Sequence, residues 1–487
     1  MLKKMKFEDL QKLEEYFKKY LSYKGINLWE LSEAGIYENF LKFPKKRGFL
    51  DKTKGIVLRE ITVRKNHRKE KEISEEINKR KEIIALVHGI SPINTFKPII
   101  KKIKDKIKII KYDSASGDTT KMFLEKNNLE YTNIDSYMDE EIKINLKKAK
   151  KWLKNSWKGI KKDKNLKEIL KEDYKDILKA LEYFCKTKKS YLEIIRLLEL
   201  YDKMFDIEKP KLLLVSDDTN AYGKSAVFIA KKKNIKTLCI QHGQLQGNVV
   251  TNNGADKLIV NGLRDKEYLI SKGIKKDKII VAGQIRFDDI VEKMKISKKE
   301  ICKKYGLNPQ KRIIVYSYQK PIPGENIVES ARDCFLEEIK KIENKEDYEI
   351  VVTMRSDTPL IKNISKEIKI LAGANIQDLA ICSEILITAF STAAIEFALM
   401  NKPVIALNLG SKKEEYIDYT DLGVGFKITE KKDFLPALET CLNDKKFKEN
   451  FKKSREKFIE NYNFKMDGKA LERIINYIDG AITWRKR

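Results

Sequence analysis

The sequence predicts an α/β protein of two lobes, each built on its own parallel sheet, with a helical extension at the N-terminus and a helical insertion in the first lobe. Three observations carry this prediction. Short apolar strands alternate with helical stretches from about residue 82 to residue 428, the pattern of repeated strand–helix–strand units. The strands are nearly continuous runs of Ile, Leu and Val, as sheets covered on both faces require. They fall into two series, separated by a charged stretch at roughly 288–310. With 487 residues, the chain is long enough for two or three domains of ordinary core size.

Residues 1–80 read as a basic helical extension in which Leu10, Leu13, Tyr16, Phe17 and Tyr20 recur at three- and four-residue steps. The first lobe is expected over 81–300. It opens with EIIALVHG at 82–89 and KIKIIKY at 106–112. Residues from about 136 to 206 lose the strand signal and become lysine-rich helices, including KKAKKWLKNSWKGIKK at 147–162. Strands resume with KLLLVS at 211–216, TLCIQ at 237–241, KLIV at 257–260 and KIIVAG at 278–283. The second lobe is expected over 301–445, on RIIVYS at 312–317, EIVVTM at 349–354, EILITA at 384–389, PVIALN at 403–408 and GVGFKI at 423–428. Residues 446–487 read as a C-terminal helix crossing back to the first lobe.

Charge and cysteine usage bound the function classes. The formal net charge of +29 favours phosphates, anionic lipid surfaces or nucleic acid as partners. Yet the cations are mostly lysines spread along the whole chain, as an A/T-rich genome also produces. Six cysteines stand singly, at 185, 239, 302, 334, 382 and 441, which speaks against structural zinc and disulfides and for a reducing compartment. The N-terminus has no signal-peptide core, and no apolar run of about 18 residues occurs, so a cytoplasmic location without a membrane span is expected. The basic helices, in which Trp152 and Trp157 interleave with lysines, suggest a peripheral surface for an anionic membrane or a lipid-linked acceptor. The competing class, a nucleic-acid binder, would use the same lysines and aromatics, but no motif of such a domain is present.

In open parallel sheets, ligands bind at the carboxyl ends of strands, so the loops there are the candidates for chemistry. Ser391 and Thr392 stand where a strand gives way to a helix, a position for an anion site or for a plain helix cap. Glu396 lies one helical turn further, within reach of a ribose. His242 follows a buried-type strand directly. An imidazole there can act as general base toward an acceptor hydroxyl or as a cation toward a phosphate. His88 is a weaker candidate of the same kind, and His67 reads as a surface residue. Arg286 and Arg355 suit phosphate oxygens or an ion pair between lobes. SDDTNAYGKSAVF at 216–228 imitates a P-loop, but the glycine that loop needs is replaced by Asp218, whose carboxylate would repel phosphate. Asp217 and Asp218 read instead as polar cleft residues, with Asp218 an alternative base.

The segment DLAICSEILITAFSTAAIEFALMNKPVIALN at 378–408 resembles the donor-binding stretch of GT-B sugar transferases and of their relatives, the UDP-N-acetylglucosamine 2-epimerases and the CDP-glycerol glycerophosphotransferases. The resemblance extends to the strand and His-Gly at 237–243, to GQIRFD at 283–288 and to NFKMDGKALERI at 463–474, and spans roughly 210–480. It implies two Rossmann-like lobes of GT-B type. It also implies transfer of a sugar from a UDP-, CDP- or GDP-linked donor to a hydroxyl of a surface-polysaccharide, glycan or lipid-linked acceptor. Glycerophosphate transfer and 2-epimerisation are the alternatives. On this reading Ser391, Thr392, Glu396, Arg286 and Arg355 bind the donor, and His242 or Asp218 is the base. No bound cofactor or metal is expected, since the chain has no Asp-x-Asp motif. At the position of Arg355 and Ser356 the glycerophosphotransferases usually carry a His-Pro pair, a departure that bears on which group is moved.

Overall fold

The computed structural model describes residues 6–37, 80–87, 89–112, 119–186, 191–243, 245, 254–321, 326–356, 358, 364–409 and 417–483. The chain divides into two compact units. The first comprises Met1–Ile259, Leu269–Ile280 and Ile475–Arg487, and the second Val260–Tyr268 and Val281–Ile474.

The first unit is built on a seven-stranded sheet of order β3-β2-β1-β4-β5-β6-β7. Its strands are β1 (Ile83–Val87), β2 (Ile107–Lys111), β3 (Thr132–Asn133), β4 (Leu212–Val215), β5 (Lys236–Ile240), β6 (Lys257–Val260) and β7 (Ile279–Val281). Pairing is parallel, with Ile83 opposite Ile107 on one side and Leu212 on the other. All five residues of β1 and all four of β4 are buried, which is why these strands read as unbroken apolar runs. Strand order reverses between β1 and β4, so the loops after these two strands flank the crevice in which doubly wound sheets bind ligands.

The extension and the insertion are not separate appendages. Helices α1 (Glu14–Leu21) and α2 (Leu28–Ile36) share one apolar core with α3 (Glu140–Lys162), α4 (Tyr174–Lys186), α5 (Tyr191–Glu208), α6 (Ala221–Lys232) and one face of the sheet. Phe17 stacks on Trp29 with ring centroids 4.2 Å apart, both fully buried. Polar staples close the same seam. Tyr16, Tyr20 and Lys19 of α1 all donate to Oδ2 of Asp163, the residue that ends α3, at 2.5, 2.6 and 3.0 Å. Trp157 is buried and Trp152 half-buried, facing this core rather than solvent. The two tryptophans therefore lie on the inner side of an amphipathic helix, and the lysines interleaved with them face outward.

The second unit holds a six-stranded parallel sheet of order β10-β9-β8-β11-β12-β13. The strands are β8 (Arg312–Ser317), β9 (Tyr348–Met354), β10 (Lys369–Ala372), β11 (Ile385–Thr388), β12 (Val404–Leu407) and β13 (Gly425–Ile428). Its helices include α7 (Lys298–Tyr305), α8 (Ile376–Cys382), α9 (Ala393–Leu399), α10 (Lys445–Asn463) and α11 (Ala470–Thr483), the last of which runs into the first unit. Here the order reverses between β8 and β11.

The boundaries differ from those the sequence suggested. The second unit begins at Val281 rather than after residue 300, because Phe287 and Ile290 pack in the same core as Ile301 and Cys302. The single helix expected after residue 445 is two. The chain breaks at Phe464 and Gly468, which take φ of 61° and 68°, and Gly468 does so without the strain a side chain would meet there. The break lets Asn463 Oδ1 accept from Gln284 N–H at 2.8 Å, while Asp288 accepts from the N–H groups of Ala470 and Leu471 at 2.9 and 2.8 Å. A Cβ on Gly262 would lie 2.0 Å from the Asn461 carbonyl oxygen, so only glycine permits this approach. GQIRFD and NFKMDGKALERI are thus two halves of one knot that binds the second unit together.

Candidate functional site

In the first unit, the candidate residues meet at the carboxyl ends of β4 and β5. His242 stands two residues past β5, and its Nδ1 lies 2.8 Å from the carbonyl oxygen of Ser216, the residue after β4. A carbonyl can only accept, so Nδ1 carries the proton and the neutral ring keeps its lone pair on Nε2. Nε2 has no hydrogen-bond partner among the described residues. An oriented imidazole with an acceptor nitrogen beside the strand-order reversal is the arrangement a general base needs. His88 and His67 lie outside the described residues.

Asp217 and Asp218 take different places. Asp217 folds the loop on itself, accepting from Thr219 N–H and Asn220 Nδ2 at 2.7 and 2.8 Å. Asp218 is buried, and its Oδ2 accepts from Ala255 N–H at 2.7 Å beside the Cys239 thiol. Burial pushes its carboxyl above the ordinary range, and the Ala255 hydrogen bond pulls it partly back. Ala255 stands two residues before β6. The stretch after β4 therefore bonds both to His242, just past β5, and to Ala255, just before β6.

The P-loop likeness ends in the same loop. Lys224 of the Gly-Lys-Ser triplet is buried and turned inward, donating to the Glu30 carbonyl at 2.8 Å and to Glu33 at 3.1 Å. Asn220 caps α6 by accepting from Gly223 N–H at 2.9 Å. The triplet joins α6 to α2 and leaves no lysine facing a phosphate.

In the second unit, the turn after β11 is held from both sides. Gln319, past β8, accepts from Phe390 N–H and shares the Thr388 hydroxyl, each at 3.1 Å. Asn408, past β12, donates to the Ala389 carbonyl at 2.6 Å. Ser391 and Thr392 follow, the second exposed. The Ser391 hydroxyl accepts from Ala393 N–H at 3.2 Å, and the N–H groups of Ala394 and Ile395 bond to the Ser391 and Thr392 carbonyls. The amides of the first helical turn are thus internally bonded rather than open. With α9 only seven residues long, what the turn offers an anion is chiefly its two hydroxyls.

Glu396 sits on the buried side of α9. Its Oε2 accepts from Gln377 Nε2 at 3.0 Å, and Arg286 approaches Oε1 at 3.7 Å. Gln377 Oε1 in turn accepts from Lys293 at 2.6 Å. Burial holds the Glu396 carboxyl above its usual range, with Arg286 and Gln377 opposing. Arg286 is therefore the partner of Glu396. Arg355 is exposed just past β9, which β8 separates from β11 in the sheet. Asp378, of the Asp-Leu pair in the resemblance, accepts from Lys304 and Tyr305 at 2.6 and 3.0 Å and staples α8 to α7.

Sequence reasoning passed over Gln319, Gln377, Lys293 and Asn408. For Gln319, Asn408 and Gln377 the only signal is a polar side chain just past an apolar strand or at the start of a short helix, and Lys293, at the end of the helix Asp288–Lys293, has none. Among the described residues, no group of three His, Cys, Asp or Glu is placed to hold a metal ion, and no helix is long and apolar enough to cross a membrane.

Residues 214–480, which include every candidate site residue placed above, match the family described as CDP-Glycerol:Poly(glycerophosphate) glycerophosphotransferase. The teichoic acid glycerol-phosphate primase of Bacillus subtilis (strain 168) is 25% identical over 221 residues, 44% of this chain and 54% of the relative. The chain therefore spans about half the length of the curated relative it matches. Among solved structures, the UDP-GlcNAc 2-epimerase from Neisseria meningitidis bound to UDP-GlcNAc is similar with a TM-score of 0.52 at 13% identity, over 81% of this chain and 99% of that one. The UDP-GlcNAc 2-epimerase from Methanocaldococcus jannaschii gives 0.51 at 18% identity, over 82% and 98%. At these identities the likeness is one of fold, and the fold is the GT-B type.

Proposed function

As the chain belongs to the CDP-glycerol:poly(glycerophosphate) glycerophosphotransferase family, we propose that it is a transferase of cell-surface polymer synthesis. It moves a group activated on a nucleoside diphosphate to a hydroxyl of a glycan or polymer acceptor. The observation that carries this reading is His242, whose Nδ1–H is spent on the Ser216 carbonyl and whose Nε2 keeps its lone pair at a strand end.

The family favours glycerol phosphate as the transferred group. The acceptor oxygen attacks the phosphorus that bears the glycerol, Nε2 of His242 takes the hydroxyl proton, and the bond from that phosphorus to the bridging oxygen breaks as CMP leaves. The hydroxyls of Ser391 and Thr392, with Arg355, bind the diphosphate, and charge placed there stabilises the leaving group as it forms. Arg286 and Gln377 engage Glu396 on the buried side of α9, so these residues support the Ser391 turn rather than touch the donor. The step needs no metal, so a chelator should leave turnover unchanged. A second reading, sugar transfer, is favoured by Arg355 and Ser356 standing where the family usually has His-Pro. There the bond that breaks is the one from the sugar carbon to the diphosphate, and a nucleoside diphosphate leaves. Either acceptor is held at the inner face of an anionic cell membrane.

The nucleotide product separates the two. Incubation with CDP-glycerol and with UDP-, CDP- and GDP-sugars should release CMP from the first or a nucleoside diphosphate from one of the others. His242→Ala should lower turnover by roughly a hundred- to ten-thousand-fold with donor affinity unchanged. Ser391→Ala with Thr392→Ala should weaken donor binding by about tenfold or more. A His242 variant of normal turnover removes the base assignment. Failure of any nucleotide to bind removes the reading as a whole.

A further inference from the structure

From residue 142 to residue 162, helix α3 carries nine lysines and no acidic residue. All nine are exposed, and among the described residues only Lys143 meets an acid, Glu140. The opposite side is fixed in the apolar core by Ile142, Leu153, Trp157 and Ile160, so the helix cannot roll its cations away. At 1.5 Å per residue the lysines extend over about 30 Å. Lys148, Lys151, Lys158 and Lys162 fall on one line along it, together with the exposed Ile144. The comparable helix α10 differs, because Glu449, Glu456 and Glu460 alternate with its lysines.

We propose that the outer face of α3 docks on an anionic phospholipid surface through charge alone. A single helix is a ridge and offers no groove in which one polymer strand could lie. Its tryptophans face inward, so it presents no platform on which bases could stack. A plane of headgroups, in contrast, meets the whole line of lysines at once. Attraction of this kind adds lysine by lysine and decays within a Debye length of roughly 10 Å at about 0.1 M salt. The inference extends the reading of an acceptor held at a membrane, but its test needs neither donor nor acceptor and so stands or falls separately.

The full chain is sedimented with vesicles of phosphatidylcholine alone, and with vesicles containing about one third phosphatidylglycerol, at about 0.1 M NaCl. Binding is expected only to the anionic vesicles, with release at high salt. Changing Lys148, Lys151, Lys158 and Lys162 together to Gln should weaken it by roughly a hundredfold or more. The control changes Lys446, Lys452, Lys453 and Lys457 of α10 to Gln, which removes the same charge, and should bind nearly as wild type. Equal losses in the two variants would make net charge the cause and overturn the proposal. So would an α3 variant that binds normally, or a wild-type chain that ignores vesicles yet binds soluble polyphosphate or an oligonucleotide. The milder pair Lys148→Gln and Lys151→Gln should give an intermediate loss if the fourfold variant folds poorly.

Discussion

The hydrogen bond from His242 to the Ser216 carbonyl and the one from Ala255 to Asp218 tie a residue just past β5 and one just before β6 to the stretch after β4, and the two side chains answer differently to substitution. Asn at 218 can still accept from Ala255, whereas Leu cannot and leaves that amide buried and unpaired, at a cost of about 1–3 kcal/mol. We therefore expect Asp218→Asn to keep turnover within a few-fold and Asp218→Leu to lower kcat more than it raises KM. The chain has only three histidines, so the ring nitrogen signals of His242 can be assigned after His67 and His88 are replaced. The Nδ1–H form should dominate in wild type and Asp218→Asn and weaken in Asp218→Leu. A dead Asp218→Asn with an intact tautomer would instead make the carboxylate itself the base. At this scale the sequence showed which polar residues stand directly past the strands, since a polar residue after an apolar run is visible in one dimension. It could not tell Glu396 open to a ribose from Glu396 held by Gln377 and Arg286, because those partners stand 19 residues before it and 110 residues before it.

At the scale of elements, the helical parts of the first unit depend on a few carboxylates, and Asp163 is the clearest. The hydroxyls of Tyr16 and Tyr20 hold its carboxyl well below the ordinary range, with Lys19 adding to the effect. A carboxylate whose pKa is lowered on folding adds stability above its unfolded value near 3.8, and that stability disappears as pH falls through the lower folded value. Asp163→Asn should thus cost on the order of 2 kcal/mol near neutral pH and progressively less in acid. Thermal melts of both forms at neutral and acid pH would check this, and a difference that grows in acid would refute it. Most strands of both sheets were legible because they are largely apolar runs of three to seven residues. Two were not. Thr132–Asn133 is only two residues long, and Lys369–Ala372 is an edge strand with alternate residues exposed, so neither carries the apolar signal of a covered strand. The union of extension and insertion was also hidden, since Tyr16 and Asp163 are 147 residues apart and only the fold brings them together.

For the whole molecule, the two-sheet fold followed from counting strand series, but the path of the chain between units did not, because a boundary is set by which core a residue joins. Phe287 and Ile290 look like linker residues in sequence and are core residues in space. The knot between GQIRFD and NFKMDGKALERI makes a prediction at this scale. A chain ended before Asn461 loses the partners of Gly262, Gln284 and Asp288 together, and should yield a second unit that aggregates or is cleaved by protease rather than one merely shortened. A protease-resistant second unit in that variant would show the knot to be dispensable. The knot also sets a timetable. Gln284 and Asn463 are 179 residues apart, and Lys106 of the first unit waits 373 residues for Asp479. At synthesis rates of about 5–20 residues per second, Gln284 spends roughly ten to forty seconds on the ribosome before its partner is made. The second unit therefore cannot tie this knot until residues 461–471 have been made, by which time nearly all of its apolar core has already left the ribosome.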